Sequence, residues 1–410
     1  MRLFAKAKDL LSKAKNILQT LEANGHEAFV VGGCVRDMLL NRPVHDVDIC
    51  TAAHPQEVIR LFERVIPTGL KHGTVTVLVD NQPFEVTTYR RDGVYTDHRR
   101  PHHVRYVRLL KDDLIRRDFT MNAMAMDKDD QIVDYFQGLE DLKRRVIRTV
   151  GAPAERFQED ALRMLRAIRF GAQLGFRLED QVERHIQASA ELLERISMER
   201  ITAEFAKTMA APFVDTGLLA YAQNGIARKV APFSAVEQSF VEIGHYPLYP
   251  LSVVERWALF LSLATEEEAG VFLKQLRLTK AFARQVRTLL SYIRHYAAIT
   301  HLEQLTTYEM FDIGESMLTS VLKINLVKQH GQIDPARLTA LHRTFRALPL
   351  QSKQDLRVNG KDLLDIYTKK PGPWIQQTLR KLQKAVLDGH VENDRDQLLA
   401  YLMERDSDEC

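Results

Sequence analysis

Apolar and polar positions follow two rhythms along the chain, and the change from one to the other near residue 151 divides it. Leu3, Leu10, Leu11, Ile17, Leu18 and Leu21 recur at helical spacing among lysines, which predicts a first helix. That segment lacks a continuous apolar stretch and a small-residue cleavage site, so it does not read as a signal peptide. Ala28-Phe-Val-Val31 is a short apolar run ending at Gly32-Gly33, Val35 to Leu40 reads as a helix, and Asn41-Arg-Pro43 stops it. Asp46-Val-Asp-Ile-Cys50 alternates with period two, as a half-buried strand does. Thr74 to Val79 and Phe84 to Tyr89 read as a hairpin around Asp80-Asn-Gln-Pro83. Residues 1–150 are therefore expected to form a small mixed sheet with flanking helices.

Beyond Gly151 the period becomes helical: Glu155 to Leu174, Asp180 to Ile196 and Ser197 to Met209, the last with Ser197 as N-cap. Residues 211–330 continue as helices broken at Pro212, Pro232, Pro247 and Pro250, and 331–410 add further helices around Lys370-Pro-Gly-Pro373. The predicted class is α+β, a mixed-sheet head followed by a nearly all-helical remainder.

Composition changes this picture little. At 410 residues the chain exceeds one ordinary core, and 45% hydrophobic with 27% charged residues is the balance of a globular protein. No stretch approaches 18 consecutive apolar residues, and Cys34, Cys50 and Cys410 have neither metal-ligand nor disulfide spacing. Those features point to the cytoplasm and away from a membrane. A net charge of +3 says less than its distribution, because arginine clusters at 99–100, 105–108, 116–117, 143–148 and 163–169 all fall in the first half.

Three constellations carry candidate chemistry. In the first, Asp46 and Asp48 sit two apart on a strand and so share one face. Paired carboxylates repel unless a cation joins them, and Mg²⁺ takes carboxylate and triphosphate oxygens in one shell. A second ion would complete a two-metal arrangement for in-line displacement. Just upstream, Gly32 and Gly33 between strand and helix let backbone N–H groups approach a triphosphate, and Arg36 offers a planar fork for its oxygens. Glu85, facing away from Phe84 and Val86, is either a third carboxylate near the metals or a solvent-facing strand residue.

The second constellation is Arg116-Arg-Asp-Phe-Thr-Met-Asn-Ala123, in which Arg117, Asp118 and Asn122 suit phosphate, ribose hydroxyls and a carbonyl while Phe119 and Met121 pack inward. The third is Glu159-Asp-Ala-Leu-Arg-Met-Leu-Arg-Ala-Ile-Arg169. Asp160, Arg163, Arg166 and Arg169 are spaced by three, forming a slanting row on a regular helix, with Glu159 bracing Arg163 at i,i+4. An aspartate accepting from an exocyclic amine and an arginine donating to a ring nitrogen or carbonyl can read a Watson–Crick edge without a template strand.

Taken together, these motifs resemble the class II CCA-adding enzymes (tRNA nucleotidyltransferases) of bacterial type. The resemblance covers Gly32-Gly-Cys-Val-Arg-Asp37 with Asp46 and Asp48, the loop at 91–101, residues 116–123, Phe136 to Leu142, Glu159 to Phe170 and Glu199-Arg-Ile-Thr-Ala-Glu204. It implies a polymerase-beta-like head (1–150), a neck carrying the base-selecting motif (151–210), a body (211–330) and a tRNA-binding tail (331–410). It also implies ordered addition of C, C and A to tRNA from CTP and ATP, with Asp160 and Arg163 selecting the base. Gly33, Arg36, Arg117, Arg166 and Arg169 match the family's nucleotide contacts, and the 91–101 loop its flexible loop, thought to help the switch from CTP to ATP. Lysines at 353, 361, 369, 370, 381 and 384 are candidates for tRNA phosphates. No His-Asp doublet follows residue 48, so no appended metal-dependent phosphohydrolase is expected.

Overall fold

The computed structural model describes residues 2–92, 104–297, 299, 304–367 and 369–408. The first helix, α1 (Arg2–Ala23), buries Leu10, Ile17, Leu18 and Leu21 of the predicted stripe together with Ala14, while Leu11 is half-buried. The head then runs β1 (Ala28–Val31), α2 (Gly33–Leu39), β2 (Asp48–Thr51), α3 (Pro55–Leu61), β3 (Val65–Gly69), β4 (Thr74–Val79) and β5 (Gln82–Thr88). There follow β6 (Arg90–Asp92), β7 (Val104–Tyr106), α4 (Leu110–Leu114), β8 (Met124–Met126) and β9 (Ile132–Asp134). Seven strands join one mixed sheet in the order β3-β4-β5-β2-β1-β8-β9.

This order positions the chemistry. β2 lies at the middle of the sheet, antiparallel to β1 and parallel to β5, with Asp48 paired to Val31 on one side and Glu85 on the other. The end of β1, immediately before Gly32, is thus set beside both carboxylate-bearing strands. The β4–β5 turn is tighter than expected: Asp80 and Asn81 take positive φ (50° and 62°) in a two-residue turn, and Gln82 and Pro83 already pair within the sheet. Asp46 lies ahead of β2 and not on it, although the alternation persists, with Val47 and Ile49 buried and Asp46 and Asp48 exposed. Cys34 and Cys50 are both buried beneath this surface.

After α5 (Gly138–Arg144) and the short β10 (Val146–Ile147), the chain becomes helical as predicted, with one correction. The expected helix from Glu155 to Leu174 is two, α6 (Pro153–Glu159) and α7 (Leu162–Leu174). Between them Asp160 is extended (φ −146°, ψ 102°), and its Oδ1 accepts from the Leu162 amide at 3.1 Å. The side chain thereby satisfies an N–H at the start of α7 that a continuous helix would have bonded internally. β11 (Arg177–Leu178) pairs with β10, α8 (Asp180–Ser189) ends earlier than expected in a 3₁₀ stretch to Arg195, and α9 is Met198–Met209. Ser197 occupies the N-cap of α9, but its hydroxyl makes no capping bond.

Two compact units result, Met1–Gly244 with Glu266–Leu278, and His245–Thr265 with Thr279–Cys410. An aromatic cluster ties the detached piece into the first unit: Phe205 lies 5.1 Å from Phe233 and 5.9 Å from Phe272, ring centre to ring centre. The second unit has its own helical core, including Leu326, Leu341, Leu350, Leu363, Leu382 and Leu398.

Candidate active site

At the end of β1 the chain turns through Gly32 with φ +81°, a conformation costly for any residue with a Cβ. Space is tight as well, since a Cβ there would stand 3.0 Å from Arg117 Nη1. Gly33 opens α2, which carries Arg36 inward. Asp37 grips Arg36 through Nε and Nη2 at 3.0 and 2.9 Å, and Nη1 donates to Asn122 Oδ1 at 2.6 Å.

From Asn122 the network continues without a gap. Its amide donates to Asp118 Oδ1 at 3.1 Å, and Asp118 Oδ2 receives Arg166 Nε at 2.7 Å and Nη2 at 2.5 Å. Burial alone would raise the Asp118 pKa, but Arg166, the Asn122 amide and Arg163 outweigh it and hold the carboxyl down to about 2. Phe119 and Met121 are fully buried, as expected, and so is Thr120 between them in a short 3₁₀ turn. Arg117 is steadied by Asp113 on α4 at 3.3 Å, a fully buried carboxylate that also takes Arg116 at 2.9 Å.

Arg163, Arg166 and Arg169 stand on α7 with their predicted spacing, whereas Asp160 lies on the connecting link and not in a helical row with them. Arg163 reaches Glu159 Oε2 at 2.5 Å across the break and donates to the Arg116 carbonyl at 3.0 Å. Arg169 meets Glu204 Oε2 at 2.5 Å and Gln173 Oε1 at 2.8 Å.

Facing this basic side is an acidic one. Asp46, Asp48 and Glu85 come from the loop before β2, from β2 and from β5. The Asp48 carboxyl is pushed up to about 6, by close protein walls first and then by Asp46 and Glu85, with Arg117 pulling the other way. Glu85 thus proves to be Asp48's neighbour in register and in charge. Water still reaches Asp48, as a hydrated cation would need. The two sides enclose a cavity of about 480 Å³, lined by every predicted site residue except Glu85 and Glu159, and additionally by Asp37 and Phe170. The 91–101 loop, beyond Arg91 and Asp92 in β6, lies outside the described residues.

Comparison with known proteins agrees with this geometry. Residues 28–148 match the model for the Poly A polymerase head domain, 175–237 one for an RNA- and SrmB-binding site of polymerase A, and 251–402 one for tRNA nucleotidyltransferase domain 2. The CCA-adding enzyme of Bacillus cytotoxicus is 38% identical over 96% of this chain and 98% of its own. That of Anoxybacillus flavithermus is also 38% identical, over 95% and 96%. The chain belongs to the CCA-adding enzymes. A solved member, the Bacillus stearothermophilus CCA-adding enzyme in complex with CTP, is 37% identical and superposes with a TM-score of 0.84 over 97% of this chain and 98% of that one.

Within this CCA-adding enzyme fold, two residues quoted above only as part of a motif acquire contacts. Arg200 and Glu204, one turn apart on α9, reach back to the preceding motif. Arg200 clasps Asp160 at 2.7 and 3.2 Å, and Glu204 holds Arg169. Their i,i+4 spacing put them on one face of a helix, but nothing local in the sequence named the partners. Phe170 was equally hidden, since an aromatic at helical spacing reads as core.

Proposed function

We propose that the protein adds C, C and A to the 3′ end of tRNA, without a template, from CTP and ATP with release of pyrophosphate. The observation that carries this reading is the single cavity, with a carboxylate pair beside a glycine turn on one wall and an arginine–aspartate group suited to a base edge on the other. As in the relative solved with CTP, a nucleoside triphosphate is the fitting occupant. Residues 1–150 would be the catalytic head, 151–210 the neck that reads the base, 211–330 the body and 331–410 a tail on tRNA, all working in the cytoplasm. No helix among the described residues is long and apolar enough to cross a membrane.

The family uses a divalent metal, and we assign it as Mg²⁺ held by Asp46 and Asp48. Among the described residues no three His, Cys, Asp or Glu side chains could hold a metal by themselves. Mg²⁺ is commonly bound through one or two carboxylates, with the remaining positions left to water and phosphate oxygens. The Asp48 carboxyl is raised by desolvation first and by the like charges of Asp46 and Glu85 next, and a bound cation would favour its ionised form. When bound, the metal supplies positive charge at the α-phosphate and at the attacking 3′ oxygen. Gly32 and Gly33 leave room for the triphosphate, and Arg36, Arg117, Arg166 and Arg169 offer donors to it. Asp118 and Asn122 hold Arg166 and Arg36 in place and would be the polar partners for a ribose. Asp160, anchored by Arg200, and Arg163, anchored by Glu159, would meet the base edge.

The test uses tRNA lacking its terminal nucleotides, Mg²⁺, and CTP or ATP singly and together, with product sizing. CTP alone should add two nucleotides, and both should add three. A product that stops at two with both present, or no extension at all unless the tRNA already ends in CC, would overturn full CCA addition in favour of a partial activity.

A further inference from the structure

Three of the cavity's arginines converge on one ring. Around Phe170, in the lining of the cavity, the guanidinium carbons of Arg169, Arg36 and Arg166 lie 3.8, 5.0 and 5.5 Å from the ring centre. Phe170 is 5% exposed and is braced by Phe119, whose ring meets it edge-on at 5.7 Å. Each arginine is also held by its own carboxylate: Arg36 by Asp37, Arg166 by Asp118 and Arg169 by Glu204.

A planar guanidinium offers hydrogen-bond donors around its edge and a face that can stack. Here carboxylates take edge donors and the aromatic ring attracts the cations through its negative π face. The arrangement answers a physical difficulty, because three cations gathered in a partly dry pocket repel one another. Burial and the nearby Arg166 both disfavour the charged form of Arg169.

We propose that Phe170 is a positioning residue for nucleotide binding, whose π face holds Arg36, Arg166 and Arg169 as one array toward the triphosphate or base. The inference rests on the reading above that these arginines meet nucleotide. A role in packing alone would depend on the ring's shape; this role depends on its charge distribution. Fluorination separates the two, since it drains the face of negative charge while nearly preserving shape.

The experiment replaces Phe170 in the full chain with mono-, di- and trifluorophenylalanine, and measures equilibrium binding of CTP and of ATP, KM, kcat and melting temperature. Affinity for both nucleotides should weaken stepwise with each fluorine, by about three- to tenfold in total, the scale of a partly desolvated cation–π contact. KM should follow while kcat at saturation changes little. A flat series with the unmodified chain active would overturn the inference, as would a loss that follows melting temperature and not fluorine count. If the unmodified chain binds nucleotide with a graded series yet extends no tRNA, the functional reading fails and the array stands.

Discussion

Asp48 and Asp118 are aspartates on opposite walls of one cavity, one pushed up to about 6 and the other held down to about 2. On the sheet side, Asp46 and Glu85 add like charge to Asp48 while Arg117 opposes it. On the side built by residues 116–123 and α7, each carboxylate is matched to a guanidinium at hydrogen-bonding distance. The first wall stores unbalanced charge that an incoming cation would satisfy. The second has its charges paired within the fold before any ligand arrives, the preorganisation that discrimination between shapes would need.

The sharpest way to break this contrast is Asp46→Ala. Incorporation of both nucleotides should fall at least about a thousandfold, as when several kcal/mol of charge stabilisation is lost, with tRNA binding retained. Turnover persisting in primer-extension assays would remove Asp46 from the metal site. On the other wall, Asp160→Ala should preserve chemistry but cut the preference for CTP and ATP over UTP and GTP by about ten- to a hundredfold, one charge-assisted hydrogen bond. Unchanged selectivity in competition assays would dismiss it as a base reader.

Stability should respond in opposite directions on the two walls. A depressed pKa means that ionised Asp118 stabilises the fold at pH values above its unfolded value near 4, an effect lost as pH falls toward 2. Asp118→Asn should therefore cost about 2 kcal/mol at pH 7, a gap in thermal melts that narrows in acid. Equal melts at neutral pH would show the Arg166 pair to be idle. A raised pKa has the reverse sign: stability from protonated Asp48 is complete below about pH 4 and lost as pH rises through about 6. In chelator the unmodified protein should lose about a degree or two more than Asp48→Asn between pH 5 and pH 7, a small effect because water reaches the group. Parallel curves would mean that the acidic wall is already balanced.

Much of this was legible in the chain because it is local. Alternation at 46–50 gave the shared carboxylate face even though Asp46 sits outside β2, since side chains keep alternating in extended backbone whether or not it is paired. The hairpin followed from the turn residues at 80–83. The break at Asp160 was not legible. Glu159 and Arg163 still meet at i,i+4, and Leu162, Leu165 and Ile168 are still buried, so the pattern of one continuous helix survives its interruption. What accompanies the link is Arg200, 40 positions later, and contacts over that distance leave no periodic trace. Glu85 was open for the same reason, because only the parallel pairing of β2 with β5 brings it beside Asp48.

The buried thiols of Cys34 and Cys50 carry a last consequence. Burial pushes the Cys34 thiol up to about 12 and raises that of Cys50 as well, so neither offers an appreciable thiolate while the head is closed. Cys34 lies on α2 and Cys50 on β2, in the β1–α2–β2 segment that carries Gly32 and Asp48. Their alkylation therefore keeps time for that segment's opening, a built-in clock for the lifetime of the assembled site that requires no label to be introduced.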